Sequence, residues 1–164
     1  REDFRQEANK KFKRLVVGKR VRLRGGYVIE AERCDVDVHG EVTKVYATVV
    51  PQTLGEDPDD GVKAKGVIHW VDQSNAVEAE IRSYDRLFAV SDPSSAEDFD
   101  QVINQNSLTT STAFLEASLA YAAPEARYQF EREGYFIADR YDHSSEQPVF
   151  NKVIGLRDTW VTND

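Results

Sequence analysis

The sequence predicts a mainly β protein, built as two barrels or sandwiches with a few short helices. Three observations carry this. Short stretches rich in Val, Ile, Tyr and Thr recur at close intervals, punctuated by Gly, Pro and Asp. Few stretches keep helical periodicity. A break at Asp92-Pro93-Ser94-Ser95 separates an earlier group of strands from a later one, which places a domain boundary near 90–95. With 164 residues, 40% of them hydrophobic, the chain can build a real core as one domain or two small ones.

In chain order, residues 2–16 read as an amphipathic helix. Phe4, Ala8, Phe12 and Leu15 recur at helical spacing, while Lys10, Lys13 and Arg14 fall elsewhere on the wheel. Glu2 and Asp3 suit its start and Lys13 and Arg14 its end, and Gly18 stops it. Val21-Arg22-Leu23-Arg24 alternates at period two and so predicts a strand. Val21 and Leu23 then face a core, and Arg22 and Arg24 share the other face about 7 Å apart. Gly25-Gly26 marks a bulge or a close backbone approach. Strands over 27–34 and 42–50 form a hairpin around His39-Gly40, and 51–62 is a long acidic loop. Further strands are predicted over 66–71 and 77–84. Asp92 opens a short helix running through Ile103 with Phe99, Val102 and Ile103 as its apolar side. Strands over 107–112, 127–138 and 148–154 follow, and Trp160 anchors the end.

Charge is unevenly distributed. Residues 1–24 hold ten Lys/Arg and three Asp/Glu, a local +7, and the remainder is −15, for a net charge of −8. An acidic chain with its cations gathered in one segment argues against general nucleic-acid coating and for a focused polyanion site. For one helix the bland reading of those lysines, a solvated face, is favoured. For Arg22 and Arg24 the bland reading, pairing with neighbouring carboxylates, stands level with a phosphate or base grip. Their position directly after the basic segment tilts them toward function.

Most other chemistry is excluded. Cys34 is the single cysteine, which rules out an internal disulfide framework and fits a reducing compartment. His39, His69 and His143 lack metal-ligand spacing, and His69 within Val67-Ile68-His69-Trp70 reads as a hydrogen-bonded structural histidine. Glu56-Asp57-Pro58-Asp59-Asp60-Gly61 superficially matches a calcium loop, but it lacks the closing Glu and carries Pro58 inside; it reads as a solvated turn. No nucleophile elbow, Walker loop or dinucleotide fingerprint occurs. No apolar run approaches the roughly 18 residues that span a bilayer, and no signal peptide opens the chain. It starts at Arg1 within a polar helical pattern, which reads as a piece of a longer protein.

Two late stretches add candidates. In Tyr128-Gln129-Phe130-Glu131-Arg132-Glu133 the aromatics alternate with polar residues, so Tyr128 and Phe130 share a face. Gln129 can read a base edge and Arg132 can grip phosphate or a base. Strict alternation puts those two on opposite faces, so joint action requires a bulge or a strand end between them. An ordinary half-buried strand is the commoner meaning of such a pattern. In Leu156-Arg157-Asp158-Thr159-Trp160, Arg157 and Thr159 share a face if the segment is extended.

Taken together, Lys13-Arg14-Leu15, Val21-Arg22-Leu23-Arg24, Tyr27-Val28-Ile29-Glu30-Ala31-Glu32-Arg33, Gly66-Val67-Ile68-His69-Trp70, Tyr84-Asp85-Arg86-Leu87-Phe88, Gln129-Phe130-Glu131-Arg132-Glu133-Gly134-Tyr135-Phe136 and Gly155-Leu156-Arg157-Asp158-Thr159-Trp160 resemble the C-terminal region of the bacterial glutaminyl-tRNA synthetase family. The likeness runs in order from about residue 2 to Trp160. It implies two β-barrels of the ribosomal L25-like kind. Residues 1–18 would be the helix entering them, 19–90 the distal barrel and 91–164 the proximal one, completed by strands upstream. It further implies binding of the glutamine tRNA anticodon, and by position the contacts fall on Lys13, Arg14, Arg22, Arg24, Gln129, Arg132, Arg157 and Thr159. Lys11 stands where the family pattern has a glutamine, so a base-reading amide becomes a charge suited to phosphate. The catalytic residues, ATP and Mg belong to a catalytic domain outside this chain, which itself would carry no cofactor. The implied partners are the anticodon stem-loop and that catalytic domain, in a cytoplasmic monomer. Three rivals stay open: the barrels of a glutamyl-tRNA synthetase, an L25-like ribosomal RNA binder, and a module whose basic helix docks an acidic protein. A free-standing hydrolase ranks behind all of them.

Overall fold

The computed structural model describes residues 3–156. Eleven β-strands dominate the described residues. They are β1 (Phe4–Arg5), β2 (Leu15–Val16), β3 (Arg20–Leu23), β4 (Val28–Val36), β5 (Val42–Val49), β6 (Val67–Ile68), β7 (Val77–Tyr84), β8 (Leu108–Leu115), β9 (Arg127–Phe130), β10 (Gly134–Ala138) and β11 (Val149–Ile154). The α-helical part is a single turn, α1 (Phe99–Val102), with two 3-10 segments at Pro93–Ser95 and Ala117–Tyr121. The mainly β prediction holds. Among the described residues no helix is long and apolar enough to cross a membrane.

Two compact units divide between Trp70 and Val71. That is upstream of the break read at 90–95, because β7 pairs with β8 and β11 and so belongs with the later strands. The first unit contains the sheet β5-β4-β3-β6 and the small parallel pair β1-β2. Its core is aliphatic: Val21 and Ala31 are fully buried, with Leu15 and Ile68 close behind, and Phe4, Leu23, Ile29 and Val45 pack around them. The second unit is the sheet β8-β7-β11-β10-β9. Its core is aromatic, with Phe150 fully buried, Phe136 nearly so, and Phe130 stacked on Phe136 at 4.3 Å.

The helix predicted over 2–16 does not form. Phe4 and Leu15 do reach the core, but as register partners of β1 and β2. Leu15 and Val16 are adjacent and both buried. Between the strands Asn9 turns the chain, its Oδ1 accepting the Lys11 N–H at 3.0 Å and its carbonyl the Phe12 N–H at 3.1 Å. Ala8 is exposed, and Phe12 lies under the Arg5 guanidinium at 4.8 Å. Helix propensity over so short a polar segment is weak, and sheet pairing overrides it. Gly18, with φ +69°, turns β2 toward β3 instead of ending a helix.

Other boundaries shift for local reasons. Arg127–Ala138 is not one strand but the hairpin β9–β10, broken at Glu131-Arg132-Glu133. The helix expected from Asp92 to Ile103 is two separate turns. Asp92 caps the first, its Oδ1 accepting the Ser94 N–H at 3.1 Å, and Asp98 caps α1. The pair Gly25-Gly26 is the tip of the β3–β4 hairpin, where the Gly26 N–H reaches the Leu23 carbonyl at 2.8 Å.

Candidate nucleic-acid interface

In the first unit the basic segment is a turn followed by a strand. The Asn9 turn leaves Lys10, Lys11 and Lys13 exposed. Arg14 is about one-third exposed, with its Nε 3.0 Å from Asp3 Oδ1. The backbone at Lys13 is held tightly: a Cβ at Gly66 would sit 1.8 Å from the Lys13 carbonyl oxygen, so only glycine lets the two segments meet.

The arginines of β3 have different uses. Arg20 is drawn inward, with Nε 2.8 Å from Glu30 Oε2 and Nη1 2.7 Å from Asp60 Oδ2. Those bonds, to Glu30 first and Asp60 second, raise its pKa above the usual arginine value. Arg22 faces away from the core as predicted, yet its guanidinium grips the acidic loop. Nη1 donates to the Thr53 carbonyl at 2.5 Å and the Gly26 carbonyl at 3.4 Å, Nη2 donates to the Glu56 carbonyl, and Asp57 Oδ1 lies at 3.7 Å. Buried Thr53 fixes the same loop at its start: its Oγ1 accepts the Val28 N–H at 2.9 Å and donates to the Val50 carbonyl at 2.7 Å. The segment over 51–62 is therefore an acidic loop clamped to basic β3, not a freely solvated turn. Arg24 lies exposed just beyond β3. Its N–H donates to the Ile68 carbonyl at 2.9 Å, and its own carbonyl accepts the Trp70 Nε1–H at 3.0 Å.

In the second unit Gln129 is exposed on β9, whereas its neighbours Tyr128 and Phe130 pack on the core. β9 ends at Phe130, and Arg132 occupies the following turn with φ +68°, closed by the Glu133 N–H to the Phe130 carbonyl at 3.0 Å. This is the strand end that joint action of Gln129 and Arg132 requires. Gly134, with φ +145°, follows where a Cβ would meet the Ile154 carbonyl oxygen at 2.3 Å. Arg157, Thr159 and Trp160 lie outside the described residues.

Elsewhere the second unit is acidic. Arg82 is bound by Asp142 at 2.7 Å and Glu80 at 2.6 Å, and these bonds, Asp142 foremost, raise its pKa. Asp139 accepts the N–H groups of Asp142 and Tyr141 and the Asn151 amide. The Asp142 N–H is the strongest of these influences, and the carboxyl pKa falls to about 2. A surface depression of about 400 Å³ is lined by Glu78, Glu80 and Glu146 with Thr110, Ser111 and Thr112, a charge that repels phosphate. His143 is structural, with Nδ1 accepting the Val149 N–H at 3.2 Å and the ring edge-on to Phe150 at 5.1 Å. Cys34 is half-buried on β4, and His69 is exposed just past β6. Among the described residues no group of three or more His, Cys, Asp or Glu is placed to hold a metal ion.

Two family models share the description "tRNA synthetases class I (E and Q), anti-codon binding domain", and they match residues 1–50 and 67–139. The chain is 59% identical over 161 residues to the glutamine–tRNA ligase of Vibrio parahaemolyticus, covering 98% of this chain and 29% of that protein. It is 58% identical to that of Serratia proteamaculans and 56% to that of Photobacterium profundum, again over 98% of this chain and 29% of theirs. The chain thus spans about 29% of the length of these relatives.

Proposed function

Because this chain belongs to the anticodon-binding domains of class I (E and Q) tRNA synthetases, we propose that it reads the anticodon of glutamine tRNA as the tRNA-binding part of a glutamine–tRNA ligase. One observation carries the reading: the whole-chain likeness is to glutamine–tRNA ligases, and each compact unit has its own match to an anticodon-binding model. Physical chemistry supports it. Single-stranded anticodon bases can be splayed, so their edges are read by amides and guanidinium groups and their faces covered by apolar side chains. Lys11, Lys13, Arg14 and Arg24 would supply charge from the first unit, with Arg22 contacting the loop nucleotides or shaping loop 51–62 beside them. Gln129 and Arg132 would act from the second, with Arg157 and Thr159 following them in the chain. The acidic remainder confines a polyanion to these residues. The four- and five-stranded sheets fit the two L25-like barrels of this reading.

Aminoacylation with ATP and Mg would take place in a catalytic domain of the whole protein, and this chain would bind no cofactor of its own. A cytoplasmic monomer completes the proposal. The test is filter binding to anticodon stem-loops of glutamine and glutamate tRNA over a salt series. Tighter binding of the glutamine hairpin, with log K falling steeply against log salt, is expected. Equal affinity for both hairpins, or a flat salt dependence, sinks the reading.

A further inference from the structure

The β9–β10 hairpin carries a side chain that the anticodon reading leaves unused. Tyr135 of β10 is the register partner of Gln129 on β9, and on its other side it partners Ile154 of β11. Gln129, a regular partner, shares a face with Tyr135, with Cβ atoms about 4.5–5.5 Å apart, whereas the Ile154 pairing sits where the β10–β11 register shifts between Tyr135 and Phe136. The opposite face of the hairpin is filled, because Tyr128, Phe130 and Phe136 pack inward. Tyr135 is 47% exposed and Ile154 62%, so an aromatic ring lies open to solvent beside the Gln129 amide, with an exposed aliphatic side chain on the strand at its other side. The turn holding Arg132 begins one residue past the end of β9. The same sheet also exposes Tyr84 with its register partner Leu108, and Phe114 on β8; what sets Tyr135 apart is the Gln129 amide in register with it and the Arg132 turn at the end of β9.

We infer that Tyr135, backed by Ile154, is the stacking floor for one anticodon base whose edge Gln129 reads, with Arg132 taking the adjoining phosphate. The inference rests on the anticodon reading and assigns it a base platform. Tyrosine suits the task, offering a flat, rigid face at low entropic cost, and every base has a π-face to lay on it. An amide in register with the ring lies near the plane of a stacked base, where a hydrogen bond to the base edge is in line. Gly134 supports the arrangement: its close approach to the Ile154 carbonyl draws β10 against β11 and sets Tyr135 beside Ile154.

The test uses the intact protein and an anticodon stem-loop hairpin of glutamine tRNA. Tyr135→Leu should weaken binding about 10- to 100-fold with an unchanged melting temperature, and Tyr135→Phe should bind within about twofold of the parent. A hairpin made abasic at the stacked position should bind the parent and Tyr135→Leu equally. Tyr135→Trp provides a second readout: it should keep its affinity, and its indole emission should be quenched by the hairpin. If the parent binds the hairpin but Tyr135→Leu binds it as tightly, the stacking role is overturned and the anticodon reading stands. If Tyr135→Leu loses equally on every abasic hairpin, stacking is likewise overturned. A parent that binds no hairpin removes the anticodon reading, and this inference with it.

Discussion

The cations of β3 and the cation of the β9–β10 turn are the same residue type in different settings. Arg20 and Arg22 are largely engaged by the protein itself, held to Glu30, Asp57, Asp60 and the carbonyls of loop 51–62. Arg132 stands in an exposed turn next to an exposed amide and an exposed aromatic. Positive charge counted along a chain therefore overstates what is available to a polyanion. The arginines of β3 shape the acidic loop beside them, and Arg132 sits at the end of β9 in register range of Gln129 and Tyr135.

The two units can be broken separately. Phe150→Ala should destabilise the second unit by about 3–5 kcal/mol, because it empties the centre of an aromatic core, and leave the aliphatic first unit folded. Hydrogen exchange resolved by unit checks this, and equal loss of protection in both would refute it. Gly66→Ala should act on the other side, costing about 3 kcal/mol through the clash with the Lys13 carbonyl and displacing the basic turn. Urea unfolding together with stem-loop affinity reads both effects.

Asp139 sharpens the contrast by pH. Its folded pKa, about 2, lies below its ordinary value of 3.8, so its contribution is complete above that value and lost as pH falls from about 4 to about 2. The loss is on the order of 2 kcal/mol and is confined to the second unit. Asp139→Asn should remove this part of the acid dependence. A parent and variant with parallel pH–stability curves would contradict the assignment.

The two arginine uses separate in one experiment. Arg22→Ala should free loop 51–62, seen as new protease cleavage there and a stability loss of about 1 kcal/mol. It should weaken stem-loop binding alike for cognate and noncognate anticodons. Arg132→Ala should leave loop 51–62 as resistant to protease as in the parent and lower the salt slope of binding by about 1. Loop cleavage that stays as slow in Arg22→Ala as in the parent would mean the clamp carries no weight.

Much of the fold is legible in residue order because period-two alternation and turn residues act locally. Val21 and Leu23 face inward as their alternation requires, β7 spans the predicted 77–84, and the β4–β5 hairpin turns at His39-Gly40. The first sixteen residues were misleading for the converse reason. Phe4, Ala8, Phe12 and Leu15 fit a helix, but Leu15 is held by β1, and Lys13 by Gly66, some fifty residues away. Local propensity, worth tenths of a kcal/mol per residue, cannot foresee such a partner. The site divides in the same way. That Gln129 and Arg132 needed a strand end between them follows from alternation, whereas that Arg22 is clamped to an acidic loop does not.

Residue order by itself determined the β class, the core-facing positions, the concentration of cations before residue 25 and the family likeness. Those are properties of neighbouring residues and of composition. Tertiary structure alone decided that the basic segment is a turn and a strand, that Arg20 and Arg22 are tied to aspartates more than thirty residues away, and that Tyr135 lies between Gln129 and Ile154. Each depends on the register between distant strands, and register is set by the burial of the whole sheet, not by any one segment.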